Sequence, residues 1–180
     1  RRMSLTRRRL LAASAAAPLA GCGFQPVYMP SAGGEPGVAQ RELAAIHVAL
    51  IPERPGQMLR QALQQRFEGV GGDTRPLYDL TVAYWITGEG LGIQPDTTTT
   101  YIRLSGNANW TLTGRDPAAT HITNGFSTAE NSVNIIDNQY FGADLQTDQA
   151  YRSLAQQIAD QITLRLAVFF RRQAKLQAAG

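Results

Sequence analysis

The sequence predicts an α+β fold: a two-layer sandwich in the order β-α-β-β-β-α, with two helices packed on one face of a four-stranded, mostly antiparallel sheet. Three observations carry this. Apolar and polar residues alternate through three successive segments between residues 78 and 130, which is the period of half-buried strands. Two other segments repeat apolar residues every three or four positions, the period of a helix lying against a core. Adjacent strands run together, with helices before and after, is the pattern of helices segregated to one sheet face.

Size and charge narrow the field. A chain of 180 residues suits a single domain. Its net charge of +3 is uneven: five arginines precede position 10, and without them twelve basic residues face fourteen acidic ones, a net of −2. This argues against a nucleic-acid-binding domain, which concentrates basic charge on one face. One cysteine rules out an internal disulfide framework, and two histidines leave little for a metal cluster. No metal or other cofactor is expected.

Residues 1–21 read as an export signal. Arg7-Arg8-Arg9 form a positive start, and Leu10 to Ala20 an apolar run. The run is roughly 11 residues long where a spanning helix needs about 20, so it reads as a signal peptide and not as a transmembrane helix. Met3 is the expected start of translation. The run closes in Leu19-Ala20-Gly21-Cys22, small residues before the sole cysteine. This resembles the bacterial lipobox, in which the thiol takes a diacylglyceryl group and the new N-terminus is acylated. Each buried CH₂ contributes about 0.8 kcal/mol, so several acyl chains (palmitate or similar) on Cys22 would hold the protein on a membrane. Thr6 to Leu11 is also loosely similar to a twin-arginine signal, but ordinary secretion is the simpler route. Gly23 stands where an Asp would signal inner-membrane retention, which points to the outer membrane.

The elements follow in order. Residues 22–40, with Pro26, Pro30, Gly33, Gly34, Pro36 and Gly37, read as the lipidated cysteine and a tether without helix. Residues 41–175 form the domain and 176–180 a tail. Leu43 to Ile51 alternates into a strand with Ile46, Val48 and Leu50 on one face and His47 on the other. After Pro52 to Pro55, the spacing of Leu59, Leu63 and Phe67 predicts a helix, ended by Gly69, Gly71 and Gly72. Tyr78 to Ile86 is the next strand, and Gly88 to Thr98 a loop. Within it and beyond, Thr97 to Thr100 reflect β-propensity more simply than a phosphate-binding cluster. Ile102 to Leu112 is a strand with Arg103, Ser105, Asn107, Asn109 and Thr111 facing outward. Gly114 to Pro117 makes a hairpin connection. His121 to Glu130 follows, with Ile122, Phe126 and Thr128 expected on one face. Asn131 to Asp144 reads as a long connection whose Val133, Ile135, Ile136, Tyr140 and Phe141 either pack back on the core, the favoured reading, or touch a partner. From about Asp148 to Lys175, Tyr151, Leu154, Ile158, Ile162, Leu166 and Phe169 form a sustained helical stripe. Thr147 is expected as its cap and Asp148 in its first turn.

Catalytic motifs are absent from the sequence. There is no Gly-x-Ser-x-Gly elbow, no His-Glu-x-x-His helix, no phosphate loop and no dinucleotide fingerprint. The nearness of His121 and Asp116 is explained by chance. The reading is non-enzymatic.

Three segments carry a resemblance. Cys22-Gly23-Phe24-Gln25-Pro26-Val27-Tyr28 resembles the CGF-x-P-L-Y opening of the LptE family, the lipopolysaccharide-assembly lipoproteins. Ile51 to Leu63 is similar to that family's junction from first strand to first helix, and Ala159 to Ala167 to its last helix. The resemblance implies a fold of two helices on a four-stranded sheet. It implies an outer-membrane, periplasm-facing lipoprotein that plugs and helps assemble the LptD β-barrel and assists lipopolysaccharide insertion into the outer leaflet. Beyond lipidation at Cys22 it assigns no site residue. For anionic lipid phosphates Arg75, Arg103 and Arg115 are the candidates, because guanidinium groups bind phosphate bidentately. The alternative is another periplasmic adaptor lipoprotein, peptidoglycan- or secretion-system-associated, and stoichiometric copurification with a barrel separates the two.

Overall fold

The computed structural model describes residues 37–68, 75–93, 99–134 and 140–180. The elements are α1 (Val38–Ala44), β1 (Ile46–Val48), α2 (Glu53–Phe67), β2 (Tyr78–Ile93), β3 (Thr99–Gly114), β4 (His121–Asn134) and α3 (Tyr140–Ala178). The strands form one sheet in the order β1-β2-β3-β4. β1 runs parallel to β2, with α2 as the crossover, and the other two pairings are antiparallel. The α+β class and the mostly antiparallel sheet are as the sequence predicts, with a third helix added.

That helix is the first correction. α1 begins at Val38, inside the stretch read as tether, and takes Leu43 and Ala44 from the expected first strand. It has no side-chain cap, and only Ala39 and Leu43 are buried along it. So short a helix is marginal alone, and packing sustains it. β1 is left with three residues, Ile46 and Val48 inward and His47 outward.

α2 forms where its stripe predicts, burying Leu59, Ala62, Leu63 and Phe67. Pro55 is tolerated because it lies in the first turn. Gln57 Nε2 donates to the Ile51 carbonyl at 2.6 Å. Gly56 lets the helix close on Ile51, since a Cβ there would stand 2.7 Å from Ile51 Cγ2.

β2 and β3 outrun their expected ends. The ladder continues through Gly88↔Leu104 and Gly90↔Ile102 before shifting register around Gly92. Residues 88–93 therefore belong to a strand, and the rest of the expected loop, 94–98, lies outside the described residues. Glycine is a poor strand residue in isolation, but the partner strand supplies the hydrogen bonds.

β4 corrects a phase. Phe126 and Thr128 are exposed, whereas Ser127, Ala129 and Val133 are buried. The register slips where Leu112 pairs Thr123 but Thr113 pairs His121. This bulge adds Ile122 to β4 and flips the alternation beyond it. Ile122 still packs against the core, as do the inward odd-numbered residues. β4 runs on to Asn134, so Val133 reaches the core as a strand residue and not from a loop; Ile135 and Ile136 lie outside the described residues.

α3 starts at Tyr140, earlier than expected, so Thr147 and Asp148 lie inside it rather than at its cap. Its 39 residues span about 58 Å. Leu154, Ile158, Ile162 and Leu166 are fully buried against the sheet and α2. Arg66 ties the two helices, its Nε to Asp160 at 2.6 Å and its Nη2 to the Gln156 carbonyl at 3.2 Å.

Candidate functional site

All three helices pack on the inward side of the sheet, and the opposite face is uncovered among the described residues. Alternation sets its chemistry. The residues between the inward Leu80, Val82, Leu104, Ala108, Trp110 and Leu112 are those that point out, mostly Thr, Asn and Ser. Along β3 they are Ser105, Asn107, Asn109 and Thr111, flanked by Thr81, Ala83 and Thr87 of β2 and Asn124 and Thr128 of β4.

Three aromatic rings interrupt this polar face: Tyr101 of β3, 44% exposed, and a pair nearer its middle. Trp85 of β2 and Phe126 of β4 are 42% and 44% exposed and meet above β3, with centroids 6.4 Å apart and planes tilted by 40°. Beneath them, Thr128 Oγ1 donates to the Gly106 carbonyl at 3.1 Å, and Asn107 Nδ2 to the Ser105 carbonyl at 3.2 Å. Sequence reasoning misses the pair, because alternation groups Phe126 on one face with Ile122, which packs on the core. Trp85 at an outward position was the available signal.

Charge gathers at the two ends of the face. At one end the Asp79 carboxylate takes hydrogen bonds from Arg115 Nε at 2.9 Å and His47 Nδ1 at 2.8 Å. The Arg115 bond, aided by His47, holds this carboxyl below its ordinary 3.8. The neighbouring turn is closed by Asp116, which accepts from the Thr120 N–H at 3.1 Å and hydroxyl at 2.7 Å. At the other end Arg103 faces Glu89 at 3.9 Å.

The three candidate arginines are therefore not one patch. Arg75, exposed ahead of β2, and Arg115 share an end of the sheet, since the Arg115 N–H donates to the Leu77 carbonyl at 2.9 Å. Arg103 lies toward the opposite end of β3, on the order of 35 Å away at a strand's rise per residue. Cys22 lies outside the described residues.

A second concave surface runs between α2 and α3, a groove of about 450 Å³ edged by Arg54, Gln57, Gln61, Gln65, Arg152 and Gln156. Asp148 takes both arginines, Arg54 at 2.5 Å and Arg152 at 2.8 Å. No group of His, Cys, Asp and Glu able to hold a metal occurs among the described residues. No described helix is long and apolar enough to cross a membrane.

One solved structure shares this fold, and two others are more distantly similar. A lipoprotein from Caulobacter crescentus CB15 is similar at a TM-score of 0.59 and 18% identity, over 74% of this chain and 96% of that one. Rare lipoprotein B from Shewanella oneidensis gives 0.47 and 7%, over 74% and 95%. A minor lipoprotein from Acinetobacter baumannii gives 0.48 and 17%, over 68% and 88%. The likeness to the first is one of fold alone. Comparison with curated proteins returns no match. The LptE family, described as lipopolysaccharide-assembly, matches residues 43–166. That span runs from the end of α1 to the buried Leu166 of α3, so the chain belongs to the LptE lipopolysaccharide-assembly family.

Proposed function

We propose that the protein is a lipoprotein acylated at Cys22 and held at the periplasmic side of the outer membrane. There it plugs and helps assemble an LptD-type β-barrel and assists delivery of lipopolysaccharide to the outer leaflet, without catalysing a reaction. Family membership over residues 43–166 carries this reading. The geometry supports it. The lumen of a large barrel is polar, and the uncovered sheet face offers hydroxyls and amides there, with Asp79 and Arg115 paired toward one end and Glu89 and Arg103 toward the other. Phosphate binding by Arg103 or Arg115 would compete with Glu89 or Asp79, which each already engages; Arg75 completes the candidate set.

The test is affinity purification of the C-terminally tagged full chain from detergent-solubilised envelopes, beside a Cys22→Ala variant. The expected result is a large, heat-modifiable barrel protein in one-to-one ratio, and loss of acylation in the variant. Peptidoglycan, or no barrel, in the eluate would overturn the reading.

A further inference from the structure

The two edges of the sheet are finished differently. On β4, side chains of α3 occupy the outward carbonyls: Arg165 Nη1 bonds that of Phe126 at 2.5 Å and Gln161 Nε2 that of Thr128 at 2.8 Å. Blocking an edge in this way prevents another strand from adding to it.

The β2 edge lacks such closure. β1 covers only its first residues: the Tyr78 N–H reaches the Ala45 carbonyl at 3.2 Å, and the Leu80 carbonyl takes the Ala49 N–H at 3.0 Å. Both groups of one residue point to the same side of a strand, so even-numbered residues of β2 face this edge and odd-numbered ones bond β3. Val82, Tyr84, Ile86 and Gly88 therefore present four N–H and four C=O groups past the end of β1. Among the described residues no strand or side chain takes them. The devices that usually blunt an edge are missing too. From Thr81 to Gly88 there is no charged residue and no proline. The register holds without a bulge until Gly90.

We infer that this edge receives an extended, uncharged segment of the barrel partner as a fifth strand, paired along Val82–Gly88. The inference rests on the proposed function for the partner's identity. Backbone groups would supply affinity, and the side chains beside them selectivity. Trp85 marks the middle of the stretch on the outer face, with its ring turned across β3 toward Phe126. Leu50, 72% exposed, stands where the chain leaves the edge after β1.

Register argues against a second copy of this chain paired along the whole of Val82–Gly88. Symmetric antiparallel pairing about Trp85 would set residue 90 of one copy opposite residue 80 of the other, and 92 opposite 78. β1 already occupies Tyr78 to Leu80, so the two copies would collide at both ends. A separate segment needs only the strand spacing of about 4.8 Å beside Val82–Gly88.

The test is residue-resolved amide hydrogen exchange on the full lipidated chain, alone and in the copurified complex. The expected result is that the amides of Val82, Tyr84, Ile86 and Gly88 exchange quickly alone and slow by about tenfold or more in the complex. Those of Ala83, Trp85 and Thr87 should be protected in both. A Gly88→Pro variant removes one edge N–H and leaves the β3 ladder intact, and should recover less barrel while its circular dichroism is unchanged. If the barrel copurifies but the four amides stay fast, the strand-addition inference falls and the plug reading stands. If no barrel copurifies, both fall. Protection that instead grows with concentration in the isolated chain would make the occupant a second copy and overturn the inference.

Discussion

Trp110 of β3 lies directly across from Gly125 of β4, and its indole fills the space where a side chain on residue 125 would be. A Cβ built there overlaps the ring at Cζ2 and stands 2.8 Å from Cε2. The indole is buried, with Nε1 donating to Ser127 Oγ at 3.3 Å, so it has little room to yield. Gly125→Ala should destabilise the domain by about 1–3 kcal/mol, the usual cost of overpacking. A urea midpoint unchanged from the parent would contradict this.

Tyr84 is the opposite case, a residue with a group too many. Its hydroxyl is buried without a hydrogen-bond partner among the described residues. An unpaired buried hydroxyl costs about 1–3 kcal/mol of desolvation. Tyr84→Phe should therefore raise stability by about 1 kcal/mol, and thermal melting at neutral pH measures it. Burial also pushes the Tyr84 phenol up to about 12, and burial with the Glu42 hydrogen bond does the same for Tyr78. The unfolded chain loses these protons near 10 while the fold retains them. Stability should consequently fall as pH rises from about 10 to about 12, and Tyr84→Phe should shallow that decline.

At acid pH the expected change has the other direction. Asp79 titrates below its ordinary 3.8 because Arg115 and His47 hold the charged form. Its contribution is present above the unfolded value and is lost as pH falls through the native one. Asp79→Asn should reduce the stability difference between about pH 6 and about pH 3, seen in paired denaturant titrations. The same acid loss in variant and parent would remove Asp79 from the account.

Arg165 and Gln161 are the residues that close the β4 edge. Replacing both by alanine should cost about 1–2 kcal/mol for the two lost bonds. It should also raise self-association in sedimentation, because the uncovered carbonyls of Phe126 and Thr128 become available to another strand. A variant that is less stable but strictly monomeric would reduce their role to packing.

Much of the fold was legible because its periods are regular. Leu59, Leu63 and Phe67 mark α2, and Leu154, Ile158, Ile162 and Leu166 mark α3, at spacings that only a helix satisfies on one face. What escaped depends on partners distant in sequence. α1 follows a run of prolines and glycines and buries two residues, so α3 rather than its own pattern sustains it. Alternation groups Phe126 with Ile122 because a bulge at Ile122 is a property of the β3–β4 pair, invisible in β4 alone. Asp148 resembles a first-turn acid, yet it serves Arg54 from another helix. The polar face could be read from the alternation along β3. The meeting of Trp85 and Phe126 could not, because it requires the register of three strands.

The position of α3 in the chain also governs the order of assembly. Leu154, Ile158, Ile162 and Leu166, which cover the sheet, come after every strand in the sequence. A polypeptide delivered N-terminus first can zip β2, β3 and β4 early, since neighbours in sequence are neighbours in the sheet and closing such loops is quick. α2 reaches only the β1–β2 side of that meander, and the cover of β3 and β4 comes with the last forty residues. Between those moments the nascent chain displays Leu80, Val82, Leu104 and Leu112 to water, the kind of transient surface that holding chaperones protect and that aggregates capture. Chains cut short before about residue 150 would remain in that state, with strands paired and the apolar side of β3 and β4 still open.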